Sequence, residues 1–204
     1  MRAVILITGI SASGKSTVAQ ALAERLPRSV HVRGDVFRKM VVNGRAEMSA
    51  EPSEEARRQL RLRYAIAAEV ADRYFEAGFT PVLQDVVLGP DLETVTKLIR
   101  SRPLHVVVLA PSAESVERRE RERPKTGYGD WTVAQLDQVL RTQTPRIGHW
   151  IDSSGLSVDE TVRDILAALE QRWGGGPGPA APAPPGGFAV APRPRRGARG
   201  GAPG

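Results

Sequence analysis

The segment "GISASGKST", residues 9–17, constrains the fold of this chain more than any other stretch. It matches the pattern G-x-x-x-x-G-K-[ST], with Gly9, Gly14, Lys15 and Ser16 at the fixed positions. An unbroken apolar run at residues 3–8 precedes it, and apolar residues at helical spacing follow it. In a strand, loop and helix of this kind the backbone N–H groups surround a phosphate, and the helix dipole favours the same anion. The sequence therefore predicts a phosphate-binding loop.

The residue types in this loop are those needed to hold ATP and Mg²⁺. We expect Lys15 to reach the β- and γ-phosphates and the Ser16 hydroxyl to bind the metal ion. The remaining contacts to the phosphates are expected from Ser11, Ala12, Ser13 and Thr17. ATP and Mg²⁺ are thus the expected cofactors.

Strand and helix patterns alternate along the rest of the chain. Strand patterns lie at residues 29–34, 80–88, 104–110 and 147–152, and helical patterns lie at 36–42, 54–77, 90–99, 112–123, 132–142 and 157–173. Continuous apolar strands connected by helices are typical of a parallel sheet that is covered on both faces. The sequence predicts an α/β fold of the P-loop NTPase kinase type, with a five-stranded parallel sheet and helices on both faces. Ligands of such sheets bind beyond the carboxyl ends of the strands.

Two acidic residues follow strands on the side where the phosphate loop lies. Asp35, directly after the second strand, is the candidate that orients an acceptor hydroxyl or accepts its proton, and Arg38 lies one helical turn further on to bind the acceptor. Asp85, at the end of the third strand, is a candidate for holding Mg²⁺ or for touching the acceptor. The alternative for each carboxylate is a helix-capping or turn role.

The stretch "VERRERERPKTGYGDW", residues 116–131, has the composition of a lid. Arg119 and Arg123 are four residues apart, so they share one helix face, and Lys125 follows them. Cations on a closing segment stabilise the charge of a transferring phosphoryl group and exclude water. The alternative is a solvated helix of alternating charge.

The charge of the chain is concentrated at its C-terminal end. The net charge is +6, but the 31 residues 174–204 carry four arginines and no acid, which leaves +2 for residues 1–173. Eighteen of those 31 residues are Gly or Pro. We expect a P-loop domain at residues 1–173 and a disordered tail at 174–204. With no cysteine and no apolar run long enough to span a membrane, a cytoplasmic protein is expected.

The motifs together resemble small P-loop kinases. "GISASGKST", "RGDVFRKM" and "QDVVLGP" are similar to segments of chloramphenicol phosphotransferase-like proteins, and residues 114–165 resemble tunicamycin-resistance proteins. The resemblance covers about residues 1–170. The resemblance to the chloramphenicol family implies that Asp35 of this chain is the base, although residues 36–60 differ from that family. The set Lys15, Ser16, Asp35, Arg38 and Asp85 is also similar to polynucleotide 5′-kinases, and the Asp-x-Phe-Arg segment to zeta-toxin-like kinases.

The leading functional interpretation is an ATP-dependent O-phosphotransferase that acts on a small hydroxylated compound, with antibiotics among the candidates. The second is a nucleotide or polynucleotide 5′-hydroxyl kinase, which a basic tail would suit. The third is a nucleotide-switched ATPase without an acceptor. A small-molecule acceptor is favoured over a nucleic acid because the stretch around Asp35 offers only Phe37 for stacking bases.

Overall fold

The computed structural model describes residues 2–122 and 131–172. Its centre is a parallel sheet of five strands in the order β2-β3-β1-β4-β5. The strands are β1 Val4–Thr8, β2 Ser29–Arg33, β3 Thr80–Gln84, β4 Leu104–Leu109 and β5 His149–Ile151. The predicted α/β class and the parallel five-stranded sheet are confirmed. Arg123, Lys125 and the predicted tail at residues 174–204 lie outside the described residues.

Helices cover both faces of this sheet. They are α1 Lys15–Arg25, α2 Gly34–Lys39, α3 Glu54–Glu76, α4 Asp91–Leu98, α5 Ala113–Arg121, α6 Val133–Thr142 and α7 Val158–Arg172. Helices α1 and α7 pack on one face, whereas α3, α4, α5 and α6 pack on the other. Side chains alternate along each strand, so Ile5 and Ile7 join the core under α1, and Val4 and Leu6 join the core under α3.

The third strand is shorter than its apolar run predicts. The ladder ends at Gln84 rather than at residue 88 because the next residues find other partners. The Thr8 hydroxyl donates to the Val87 carbonyl at 2.8 Å and accepts a hydrogen bond from the Val87 N–H at 2.9 Å. The buried Tyr64 hydroxyl donates to the Val86 carbonyl at 2.7 Å. These bonds fix the segment after β3 beside the end of β1, where the phosphate loop begins.

None of the helices in the described ranges, 2–122 and 131–172, is both long and apolar enough to cross a membrane. The longest, α3, has charged residues along its outer face. Its inner face meets the sheet through small side chains, with Ala67, Ala68 and Ala71 at most 2% exposed. This close approach brings the N-terminal half of α3 to the carboxyl end of β3.

Candidate nucleotide and acceptor site

The phosphate loop connects β1 to α1 in the conformation that its glycines predict. Gly9 has a φ of 146°, and a Cβ there would overlap the carbonyl oxygen of Leu109 and lie 2.7 Å from Ser13 Oγ. Ala12, with a φ of 57°, and Gly14, with a φ of 94°, also lie in the left-handed region. Such a chain turns its N–H groups toward one point, which is the geometry that binds an anion.

Two polar side chains of the loop, those of Lys15 and Ser13, are buried within it. Lys15 is 7% exposed, and its Nζ donates to the Ile10 carbonyl at 2.6 Å, so the ammonium group lies inside the turn of the loop. Ser13 is 1% exposed, and its buried hydroxyl has no hydrogen-bond partner among residues 2–122 and 131–172. Ser16 and Thr17 are exposed at the start of α1, and Ser11 and Ala12 are half-buried. A buried hydroxyl without a partner inside a ring of backbone amides fits a phosphate oxygen as its acceptor.

Arg119, one of the two arginines that the sequence suggests for a lid, extends from α5 to the phosphate loop. Its guanidinium donates to the Ser153 carbonyl at 2.7 Å and to the Ser13 carbonyl at 3.4 Å. It therefore bridges the phosphate loop and the turn after β5. A cation is thus held beside the phosphate loop by two carbonyls, where it would add to the attraction for an anion.

Gln84, the last residue of β3, faces the nucleotide side. The Ser16 hydroxyl donates to Gln84 Oε1 at 3.4 Å, and Gln84 is 5% exposed. Gln84 pairs with Ile7 in the ladder, so both side chains point toward α1. An oxygen-rich corner at the first turn of α1 suits a hard divalent cation, and Ser16 would be a ligand of Mg²⁺ there.

Asp85 faces the opposite side of the sheet and forms an ion pair with Arg63 of α3. The guanidinium binds both carboxylate oxygens, at 2.7 Å through Nε and more closely through Nη2, and the Val86 N–H donates to Oδ1 at 2.7 Å. The side chains of Arg63 and Asp85 are 13% and 2% exposed. Gly34 makes room for them, because a Cβ at residue 34 would overlap the Asp85 carboxylate. The carboxylate thus lies between β2 and α3, next to the start of α2.

Asp35 follows Gly34 and presents a carboxylate oriented by two cations. Arg38 Nε donates to Oδ1 at 2.9 Å, and Lys39 Nζ lies 2.5 Å from Oδ2. Burial opposes ionisation, but the hydrogen bonds from Lys39 and Arg38 outweigh it and hold the pKa of Asp35 below its ordinary value. Asp35 is therefore ionised at neutral pH and serves better to orient a hydroxyl than to store its proton.

The loop after α2 is tied to Arg38 as well. Glu47 accepts two hydrogen bonds from Arg38 Nη1, at 2.7 and 2.6 Å, and pairs with Arg45 at 2.9 Å. Gln59 of α3 donates to the Gly44 carbonyl at 2.8 Å. These bonds place residues 44–47 beside the Asp35–Arg38 pair, where they form one wall of the candidate acceptor side.

A family model described as "AAA domain", AAA_33, matches residues 4–145. The chain belongs to this family. A curated relative, the UPF0200 protein of Aeropyrum pernix, is 35% identical over 138 residues, which are 66% of this chain and 72% of the relative.

Solved structures share the fold of this family member. A sugar kinase from Janibacter sp. HTCC2649 superposes with a TM-score of 0.62 at 18% identity, over 83% of this chain and 95% of the other. The tunicamycin resistance protein of Deinococcus radiodurans gives 0.61 at 18% identity, over 83% and 96%. An APS kinase of Mycobacterium tuberculosis, solved with AMPPNP and APS, gives 0.61 at 18% identity, over 82% and 98%. The predicted likeness to small P-loop kinases is confirmed as a likeness of fold.

In this AAA_33 chain the structure also brings in residues that sequence reasoning missed. Arg63 lies three residues after Leu60 and four before Ala67, in phase with the apolar stripe that α3 turns toward the sheet. A lone arginine in that stripe was the available signal for a buried ion pair. For Gln84 and Gly34 the signal is weaker, because a glutamine before an aspartate and a glycine before a helix are common.

Proposed function

We propose that the chain is an ATP-dependent O-phosphotransferase that transfers the γ-phosphoryl group to a hydroxyl of a small molecule. One juxtaposition supports this more than any other. Gln84 touches Ser16 of the phosphate loop, and the next residue, Asp85, lies against Gly34, which immediately precedes Asp35. The Asp35 carboxylate therefore stands at the same edge of the sheet as the phosphate loop, as in-line transfer between two substrates requires.

Each charged residue then has a role. Lys15 and Arg119 offset the charge that spreads over the transferring phosphoryl group, and residues 9–17 bind the phosphates through backbone N–H groups. Bound Mg²⁺, with Ser16 as its proposed protein ligand, would add charge neutralisation. Asp35 orients the acceptor hydroxyl, and Arg38 binds a polar or anionic group of the acceptor. Arg123 stays proposed as a second cation of the lid.

The surroundings of Asp35 favour a small and partly apolar acceptor. Val36, Met40 and Met48 are 47%, 68% and 37% exposed around it. A pocket with a few polar anchors and apolar walls suits a small molecule. The solved neighbours include a sugar kinase, an APS kinase and a tunicamycin resistance protein, which makes sugars, APS and antibiotics the first acceptors to test.

A 5′-hydroxyl polynucleotide is the second candidate acceptor. The observation in its favour is the group of cations near Asp35, namely Arg38, Lys39 and Arg45, which could contact phosphates. All three are already engaged by carboxylates, and four of the six net positive charges lie in residues 174–204. Binding a polynucleotide needs several free phosphate contacts and stacking surfaces. We therefore place this candidate behind a small molecule.

The test is a screen of hydroxylated metabolites, antibiotics and 5′-hydroxyl oligonucleotides with γ-labelled ATP. We expect label to move to a small alcohol, with kcat/KM for the best small molecule exceeding that for the best oligonucleotide. The comparison is made at about 0.15 M salt, where loose electrostatic binding is screened. A tenfold preference for the oligonucleotide, retained after residues 174–204 are removed, would favour the polynucleotide kinase. Release of free phosphate alone, with every acceptor, would favour an ATPase.

A further inference from the structure

Two consecutive polar residues at the end of β3 point to opposite faces of the sheet. Because side chains alternate along a strand, Gln84 points with Val82 toward α1, and Asp85 points with Leu83 toward α3. Val82 belongs to the core under α1, and Leu83 belongs to the core under α3. The pair therefore faces two different parts of the site.

Gln84 lies against the serine of the phosphate loop. The bond between Ser16 Oγ and Gln84 Oε1 is 3.4 Å long, whereas O–H···O bonds are most common at about 2.7–2.8 Å. The two oxygens are thus neighbours without a tight bond between them. Amide and hydroxyl oxygens can both be ligands of Mg²⁺. Each ligand lies about 2.0–2.1 Å from the ion, so two ligands of the same ion are close neighbours.

Asp85 is held away from this corner. Its carboxylate accepts from Arg63 and from the Val86 N–H on the α3 side, and its side chain is only 2% exposed. To reach Ser16 it would have to leave an arginine that is itself 13% exposed. Separating the partners of a buried ion pair is strongly destabilising, because it leaves a buried charge uncompensated. The geometry thus opposes a metal-binding role for Asp85, which the sequence pattern had left open.

We propose that Gln84, rather than Asp85, is the β3 residue that positions the metal ion of bound ATP beside Ser16. The inference rests on the proposed function only in taking ATP with Mg²⁺ as the ligand. A neutral amide stands at this place, so the charge of the ion is balanced by the nucleotide phosphates and not by a carboxylate of β3. Asp85 becomes a positioning residue for Arg63 on the acceptor side.

The test measures, by isothermal titration calorimetry on the full chain, how much Mg²⁺ tightens ATP binding. The quantity is the ratio of the ATP dissociation constants in EDTA and in saturating Mg²⁺, with no acceptor present. Gln84→Met keeps the side-chain volume and removes the oxygen, and we expect it to lower this ratio about tenfold, within the range of about 10–100-fold for residues that orient a metal site. Gln84→Glu puts a carboxylate in the same place and is expected to raise the ratio.

Two control variants complete the test. Asp85→Asn is expected to leave the ratio unchanged, because its carboxylate faces α3. Gln20→Met changes a half-buried glutamine one turn along α1 from Ser16, and it should also leave the ratio unchanged. Melting temperatures show whether each variant folds. If Gln84→Met does not fold, the nearly isosteric variant Gln84→Glu provides the test.

Two results would overturn the proposal. One is a ratio that falls in Asp85→Asn and not in the Gln84 variants, which would return the metal role to Asp85. The other is a ratio that neither Gln84 variant changes. The proposed phosphotransferase activity is tested separately. If the variants show the expected Mg²⁺ dependence of ATP binding but no phosphoryl transfer is found, the proposed activity fails and the metal inference still stands.

Discussion

The nucleotide side and the acceptor side of the candidate site lie at one edge of the sheet but are built differently. The nucleotide side centres on one continuous segment, residues 9–17, and much of its chemistry comes from backbone groups whose directions are set by positive φ values. The acceptor side is assembled from α2, α3 and the end of β3, and its chemistry comes from side chains paired by charge, as in Asp35–Arg38 and Asp85–Arg63. The difference teaches that a site made of backbone can be recognised in a short motif, whereas a site made of side-chain pairs depends on packing between distant segments.

The largest expected effect is on the nucleotide side. Lys15→Ala should lower phosphoryl transfer about 10³-fold or more, because it removes a cation prearranged for the β- and γ-phosphates. The matched control is Lys97→Ala, which removes a lysine that is 72% exposed on α4 and should leave turnover unchanged. Turnover is measured with γ-labelled ATP, and circular dichroism checks the fold. Near-normal transfer by Lys15→Ala would show that this loop is not the catalytic phosphate site.

The next effect should separate the two sides. Asp35→Asn is expected to lower kcat about 10²-fold, near the low end of the range of about 10²–10⁴ for a positioned acid–base group, because a carboxylate with a lowered pKa mainly orients the hydroxyl. The dissociation constant of ATP with Mg²⁺ should barely change. Because the pKa of Asp35 is lowered, its carboxylate stays ionised as the pH falls to the ordinary pKa of an aspartate. It should therefore produce no acid limb in the pH profile of kcat/KM above about pH 4. A collapse of ATP affinity with normal kcat at saturation would move Asp35 to the metal side.

The third prediction concerns stability on the acceptor side. Arg63→Met should lower the free energy of unfolding by about 3–5 kcal/mol, because it leaves the buried Asp85 carboxylate without its partner. Adding Asp85→Asn to that variant should restore part of the loss, since an amide costs less to bury than a charge. The control Arg61→Met breaks the exposed pair with Glu54, which is expected to contribute little to stability because solvent screens it. Urea unfolding measures all three, and equal losses in Arg61→Met and Arg63→Met would contradict the buried pair.

The smallest effect is expected in β2, the strand that leads to Asp35. Burial, aided by the charge of Arg33, lowers the pKa of His31 to about 4. The unfolded chain, with a pKa near 6.5, binds more protons between these two values, so stability present above pH 6.5 is lost as the pH falls toward 4. His31→Gln should therefore show a smaller drop in melting temperature between pH 7 and pH 5 than the unmodified chain. Parallel pH profiles of the two proteins would show that His31 is not buried in its neutral form.

The capping box of the last helix shows how much of the local structure could be read from sequence. Ser157 and Glu160 stand at the spacing S-x-x-E that is typical of a capping box, and they exchange both of its hydrogen bonds, with Glu160 N–H donating to Ser157 Oγ at 3.2 Å and Ser157 N–H donating to Glu160 Oε2 at 2.8 Å. Both partners lie within one turn, so the motif contains all that it needs. The length of β3 was predicted wrongly because Thr8 and Tyr64, which end its ladder, are remote in sequence.

The sequence by itself determined the strand–loop–helix unit at residues 4–25, the alternation of strands and helices and the class of the fold, because each depends on local periodicity and on fixed spacing. Only the tertiary structure decided which side each polar residue at the end of β3 faces, and that Arg63 neutralises Asp85. Those facts depend on where β3 stops and on how closely α3 approaches the sheet. Both are set by contacts between segments far apart in the chain, which no short pattern of residues records.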